Sequence, residues 1–551
     1  MTAVAARPAA STSTTSRRRP QRTFAGFGAA LRLVLRRNRT RMLVWVLVIV
    51  GLFAYVAAYY RTIFDTQRAL DDFARLSDTP AIRGLTGLAA APSTLGGAVW
   101  TKIWMTSALA LAFGVVFLVT RSGRADEELG RTELLRARVL GVHAYSAAAW
   151  AAAAGLCLVC GTGVAVSSIL FGLDPSDAGV TGSLVIGASV AGVGAVAVGV
   201  AAVAGQVATT ARGANTIGSV VLAAFYALRM VGDLGDGHLT WASPLGWGQE
   251  MQPWGANRWW VLALLLAVAA GLLAVALVLE GRRDLGAGLV AERSGAAAAP
   301  TWYASPLGLA LRLQRGPVIG WGIAVVVWAL LVGSMVDAMT NLLDDAGART
   351  RALVGGGGVT PLLALLVEMI ALVVTVFAVQ SAVTLRSDEA AGMAQVQLAG
   401  SVSRLRWVAG RLVIPVVGSA VLLPLGGALV GWSYEMSSDE GGQVRALALA
   451  ALTYWPAVMV LVGVAVGLFG WLPQSAVVTP WAVLGAMWVV AVAADALHLP
   501  AWLLDALPFS ATPYQPAEPF RWAPVVVLTL VAAALVIGGV ARFVRRDVEL
   551  A

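Results

Sequence analysis

At 551 residues the chain is 58% hydrophobic and only 13% charged, with a formal net charge of +9. A soluble globular protein carries about 25% charged residues, so a surface facing water on all sides is excluded, and a mean hydropathy of +0.78 points to lipid as the solvent. The basic residues lie between long apolar runs rather than in one stripe interleaved with aromatics, which excludes nucleic acid as the reason for the charge and follows the positive-inside pattern.

Residues 1–23 are polar, with a Ser/Thr run and Arg17, Arg18 and Arg19. No short apolar stretch with a cleavage site precedes the first span, so they read as a disordered cytoplasmic tail rather than a signal peptide. Residues 24–41 mix Phe24, Phe27, Leu31, Val34 and Leu35 with Arg32, Arg36, Arg37, Arg39 and Arg41. This is the pattern of an interfacial helix with its bases toward an anionic leaflet. About 20 mostly apolar residues cross a bilayer. That length predicts spans near 42–60, 99–120, 143–171, 181–209, 214–232 and 258–280. A weaker interfacial helix over 304–316 precedes a second series near 318–336, 361–385, 407–432, 446–470, 474–496 and 523–541. The expected fold is an all-α integral membrane protein of about 12 transmembrane helices, in halves 24–295 and 296–551. With the N-terminus inside, the cytoplasmic segments hold 28 of the 39 Lys and Arg, which favours cytoplasmic N- and C-termini. Trp100, Trp241, Trp259 and Trp522 stand at helix ends, as an interfacial aromatic belt requires. The richness in Arg, Ala, Val and Gly, with Lys102 the only lysine, suggests a GC-rich bacterial genome and hence a bacterial cell membrane.

The chain repeats itself. Arg124-Ala-Asp126-Glu127 through Gly130 matches Arg386-Ser-Asp388-Glu389 through Gly392 at an offset of 262, and Arg282-Arg283-Asp284 matches Arg545-Arg546-Asp547 at 263. Ala30 to Leu33 matches Ala310 to Leu313 at 280. Units with an even number of spans keep one orientation, so duplication implies a pseudo-two-fold axis along the membrane normal, with a pathway on it.

The loop 121–142 carries Asp126, Glu127 and Glu128 early and Arg131, Arg136 and Arg138 late. That order complements the dipole of one short helix, with Leu134, Leu135 and Val139 on its apolar side. The segment 386–406 is its counterpart. A solvated, charged loop is the plain alternative to a docking element. The run Arg124-x-Asp126-Glu127-x-x-Gly130-Arg131-x-Glu133 after the second span, its echo at Arg386, Asp388, Glu389 and Gly392, and Ser243-Pro244 through Trp247 before the sixth span resemble the tetronasin-type exporters of polyketide antibiotics, ABC-2 permeases. The resemblance covers the chain after about residue 24. It implies two six-helix halves of the type V exporter kind. It also implies coupling to a separate ABC ATPase through Arg124, Asp126, Glu127, Gly130, Arg131, Glu133, Arg386, Asp388, Glu389 and Gly392. Two ATPase copies per chain, carrying ATP and Mg, and a hydrophobic drug-like or antibiotic cargo follow from the same resemblance. Met393 and Gln395 depart from the pattern, where Arg131 and Glu133 stand in the first half.

No phosphate loop is present: Lys102 follows no glycine-rich turn, and no Lys-Ser/Thr follows Gly355 to Gly358. ATP must therefore be hydrolysed elsewhere, and the chain is expected to be a permease rather than an enzyme, without a catalytic cluster or metal. His143, His238 and His498 are scattered, and Cys157 and Cys160 share an apolar helix face as buried thiols. Glu368 lies inside an apolar run, and an intramembrane charge is a functional candidate by default. The repeat maps Lys102 to residue 364, one turn from Glu368, so the two are candidates for a pair in the translocation path. Glu368 on a local hydroxyl and Lys102 snorkelling is the alternative. A proton-coupled, major-facilitator-like drug transporter is the competing reading of the whole chain, since it too has two six-helix halves.

Overall fold

The computed structural model describes residues 23–548 apart from 79, 138–139, 176–178, 285, 291–297, 299, 335, 337–358, 439–440, 494–499, 501, 503 and 505. The expected tail falls outside the described residues except for Thr23, as do Arg138, Val139, the 355–358 glycine run and His498. Regular structure among the described residues is helical, and the chain divides into two compact units, Met1–Ser294 and Gly295–Ala551. Eleven helices among the described residues are long and apolar enough to cross a membrane. The segment expected as a twelfth, 474–496, is helical over Thr479–Ala493, and 494–499 lie outside the described residues.

The first unit opens with α1 (Phe27–Ile63), 37 residues without interruption. The separate interfacial helix expected over 24–41 is therefore not a separate element: Asn38 to Met42 contains neither Gly nor Pro, so nothing ends the helix. At 1.5 Å per residue α1 is about 55 Å long, against a hydrocarbon core of about 30 Å. Its first turns bury Ala30 and Val34 against Tyr145, Ala148 and Ala152. Short helices α2 (Gln67–Ser77) and α3 (Pro80–Thr86) lead to α4 (Leu95–Arg121), which Thr94 caps by accepting from the Gly97 amide at 3.0 Å. After the loop helices α5 (Arg124–Glu128) and α6 (Arg131–Arg136) come α7 (Ala144–Leu170), α8 (Thr181–Val207) and α9 (Ala211–Leu234). The short α10 (Pro244–Glu250) and the spanning α11 (Trp259–Arg282) end the unit.

α4 and α8 are the interior helices of this unit, while α1 and α11 turn Leu43, Leu47, Leu266 and Val278 outward. Lipid is as apolar as these side chains, so close helix contact depends on shape rather than on hydrophobic drive. α8 meets the need with Gly, Ala and Val: a Cβ added at Gly187 would stand 2.3 Å from the Gly161 carbonyl oxygen, and one at Gly161 2.5 Å from that of Gly187. The α7–α8 contact is therefore backbone against backbone.

The second unit begins with α12 (Pro306–Gly333), again one helix through the segment expected to be a separate interfacial element at 304–316. α13 (Val359–Ala390), α14 (Met393–Leu398) and α15 (Arg404–Glu435) follow. The predicted span 446–470 lies within one spanning stretch, Gln443–Trp471, made of α16 (Gln443–Thr453) and α17 (Trp455–Trp471). Pro456 lacks an amide proton and its ring crowds the preceding turn, so the ladder breaks at Tyr454. The repeat places no proline in α8, which runs unbroken. α18 (Thr479–Ala493), α19 (Pro508–Ala511) and α20 (Trp522–Arg545) complete the described helices. α13 and α17 supply most of this unit's core, including Val374, Phe377, Val462 and Phe469.

Candidate functional site

The loop after α4 is two helices rather than the single one expected. Gly130 sits at φ 68, in the left-handed region that glycine enters freely, and turns the chain between α5 and α6. In the second unit Gly392, at φ 75, makes the same turn before α14. Ser122-Gly123 separates α4 from α5, whereas Thr384-Leu385 stands at the matching place. Arg386, Asp388 and Glu389 therefore belong to the last turns of α13 rather than to a loop.

Asp126 and Glu389 of the repeated motif are buried, and Glu127 and Asp388 are largely covered. Arg283, just past α11, grips Glu127 with both guanidinium nitrogens, at 2.6 and 2.8 Å, while Arg124 donates to the same carboxylate at 2.7 Å. Arg124 also donates to the carbonyls of Thr209, Gly286 and Ala287, at 2.8, 3.0 and 3.0 Å. Arg283 reaches Gln206 at 2.6 Å. One buried cluster thus ties α5 to the α8–α9 turn and to the end of α11. The second unit repeats it: Arg546, just past α20, grips Glu389 at 2.7 and 2.8 Å, and Arg386 donates at 3.0 Å. Buried carboxylates are retained only when paired and hydrogen-bonded, and bidentate Arg contacts are the strong form.

The neighbouring aspartates are held differently in the two units. Asp126, fully buried, accepts from both terminal nitrogens of Arg37 on α1 at 2.7 Å, from Tyr145 at 2.7 Å and from Arg131 at 3.1 Å. Asp388 accepts from Arg411 on α15, at 2.7 and 2.9 Å, and that guanidinium lies 4.2 Å above the Trp407 ring. A further buried acid, Glu280, takes Ser146 at 2.6 Å, Arg136 at 2.8 Å and the Nδ1 of His143 at 2.8 Å. Asp126, Glu127, Asp388 and Glu389, expected to couple to the ATPase, are thus committed within their own units. What each loop leaves exposed is an apolar knob at equivalent positions, Leu134 at 74% and Val396 at 79%, with Leu129 and Met393 beside them. Arg131 and Glu133 flank the first knob and are exposed.

A family profile described as "Multidrug efflux system permease Rv1217c, C-terminal domain" matches residues 303–544. Over 534 residues the chain is 36% identical to the "Multidrug efflux system permease protein Rv1217c" of Mycobacterium tuberculosis (strain ATCC 25618 / H37Rv), covering 96% of each chain. The chain belongs to this family of multidrug efflux permeases.

In this permease the two intramembrane candidates lie in different units. Lys102 is exposed, two turns into α4. Glu368 is half-buried on α13, and no hydrogen bond or ion pair reaches it among the described residues. Cys157 and Cys160 are buried and free, packed in the α4–α7–α8 core. Sequence reasoning missed Arg283 and Arg546 as members of the permease's loop clusters, although the repeat of the two Arg-Arg-Asp runs was the signal for them. It also missed Glu280, Arg37 and Arg411; no motif marks these residues, and their partners lie 23 to 144 positions away.

Proposed function

We propose that this permease is the membrane subunit of an ABC exporter of the ABC-2 class, similar to the tetronasin-type exporters, and that a separate ATPase seats on its two loop elements. The observation that carries the reading is the duplicated buried cluster, Arg124–Glu127–Arg283 and Arg386–Glu389–Arg546. Each cluster makes a loop element and the end of its unit's last helix move as one body, so a push on the loop is delivered to membrane-spanning helices. The knobs at Leu134 and Val396 are the contact points, one per ATPase copy, so one chain takes two copies. ATP and Mg are held by the ATPase. Both termini lie in the cytoplasm, and a hydrophobic drug-like molecule is taken from the cytoplasmic side and released outside. Arg131 and Glu133 add charged contacts at the first loop that Met393 and Gln395 do not supply at the second.

Co-purification tests this reading. The wild type co-expressed with its ATPase should retain that subunit through affinity purification and size exclusion. Leu134→Glu with Val396→Glu should lose it while the permease itself stays folded. Efflux from proteoliposomes driven by a proton gradient alone, with no ATPase, would overturn the proposal in favour of secondary transport.

A further inference from the structure

A small cavity of about 20 Å³ lies beside the first loop cluster, with Thr120, Arg124, Glu127, Ser146, Gln206 and Arg283 in its lining. That is room for one water-sized body. The Thr120 hydroxyl is buried there and has no partner. The Gln206 side-chain oxygen accepts from Arg283 at 2.6 Å, which leaves its NH2 group as a further donor. The Nη2 atoms of Arg124 and Arg283 each make one bond, to Gly286 and to Glu127, and each keeps a second hydrogen. The charges in this lining do not balance. Arg124, Glu127 and Arg283 have side chains 1%, 5% and 5% exposed, so two guanidiniums share one carboxylate out of water. Glu280, which Ser146 reaches, is already matched by Arg136 at 2.8 Å. Glu128 and Asp284 are exposed, where water and salt screen them.

The second unit lines the same place with apolar groups. Arg283 bonds the Gln206 side chain and Arg546 the Phe469 carbonyl, the latter at 3.1 Å, so positions 206 and 469 correspond. The repeat sets Ala382 opposite Thr120 and Val408 opposite Ser146. Ala382, Val408 and Phe469 are all buried. Aromatic faces attract cations, and two of them serve Arg546, whose guanidinium lies 5.1 Å from the Phe469 centroid and 5.2 Å from that of Phe543. No ring lies over Arg124 or Arg283 among the described residues. A buried charge has to be paired, and what the first unit offers its surplus guanidinium is space and spare donors. Glu127 does not bar an anion, because three guanidinium bonds cover its two oxygens. We propose that this cavity binds one monovalent anion of chloride size, held by the Thr120 hydroxyl, the Gln206 amide and the two guanidiniums. Its occupant fastens α5 to α8 and to the end of α11. The site goes beyond the exporter reading and does not rest on it.

The test melts the full chain in detergent, followed by circular dichroism, while sodium chloride replaces sodium gluconate at constant ionic strength. Gluconate is too large for the cavity. Chloride at ten times its Kd favours the folded state about elevenfold, a rise in midpoint of about 3–6 °C for a unit of this size. Thr120→Val keeps the side-chain shape and removes the hydroxyl. It should weaken chloride about tenfold, as loss of a hydrogen bond to a charged group does, and cut the rise to about 1–2 °C. If Thr120→Val fails to fold, crystals of the wild-type chain grown in sodium bromide give a second reading, an anomalous peak among Thr120, Gln206 and Arg283. Equal wild-type midpoints in chloride and gluconate, a variant that keeps the full rise, or a cavity that holds water and no bromide would each overturn the site. No ATPase is present in these measurements, so failure of ATP-driven export would strike the exporter reading and leave the anion site standing.

Discussion

Replacing Glu127 by Gln keeps the shape of the first loop cluster and removes its only carboxylate. Arg124 and Arg283 would then face each other, with side chains 1% and 5% exposed. Arg124 keeps its three carbonyl acceptors, but Arg283 trades its two bonds to a carboxylate for at most one to a neutral amide oxygen. Breaking a buried pair from one side costs about 3–5 kcal/mol. For a unit of this size that is a fall in midpoint of roughly 6–20 °C. Removing both partners, as Glu127→Gln with Arg283→Gln, should cost less than Glu127→Gln alone, because no uncompensated charge stays buried. Thermal melts followed by tryptophan fluorescence in detergent would read both variants, with exposed Glu133→Gln as a control expected within about 0.5 kcal/mol of wild type. A single variant melting within about 2 °C of wild type, or a double variant falling further than the single, would refute the view that Glu127 is a structural clamp. Glu389→Gln and Arg546 should behave the same way in the second unit.

Gly187→Ala should destabilise the α7–α8 contact by about 1–3 kcal/mol, since its methyl would meet a carbonyl at 2.3 Å; Gly155→Ala, on the same helix pair with nothing within 4 Å, should be neutral in the same melts. Gly130→Ala meets no neighbour either, so its cost should be the left-handed backbone alone, about 1–2 kcal/mol, with the loss matched by Gly392→Ala. Cys157 and Cys160 should resist maleimide in the folded permease and react only after denaturation, counted by intact mass; fast labelling of the native protein would contradict their burial. Asp126→Asn should loosen the start of α1, seen as faster amide exchange over Phe27 to Val34, because Arg37 trades its two 2.7 Å bonds to a carboxylate for at most one to a neutral amide oxygen.

Much of the architecture was legible in the residues alone. Lipid admits only segments whose backbone is satisfied internally, so apolar length located the spans. The duplicated Asp-Glu and Arg-Arg-Asp runs mark the loop elements and carry both halves of each ion cluster. Pro456 was the available signal for the break at Tyr454, which the predicted span 446–470 did not use. Tertiary structure decided what those charges do. Asp126 or Glu389 reads the same in sequence whether it points to a partner or into its own bundle, because burial depends on where distant helices bring Arg37 or Arg546. The arginine-rich first turns of α1 are likewise tied by tertiary structure to α7 and Asp126.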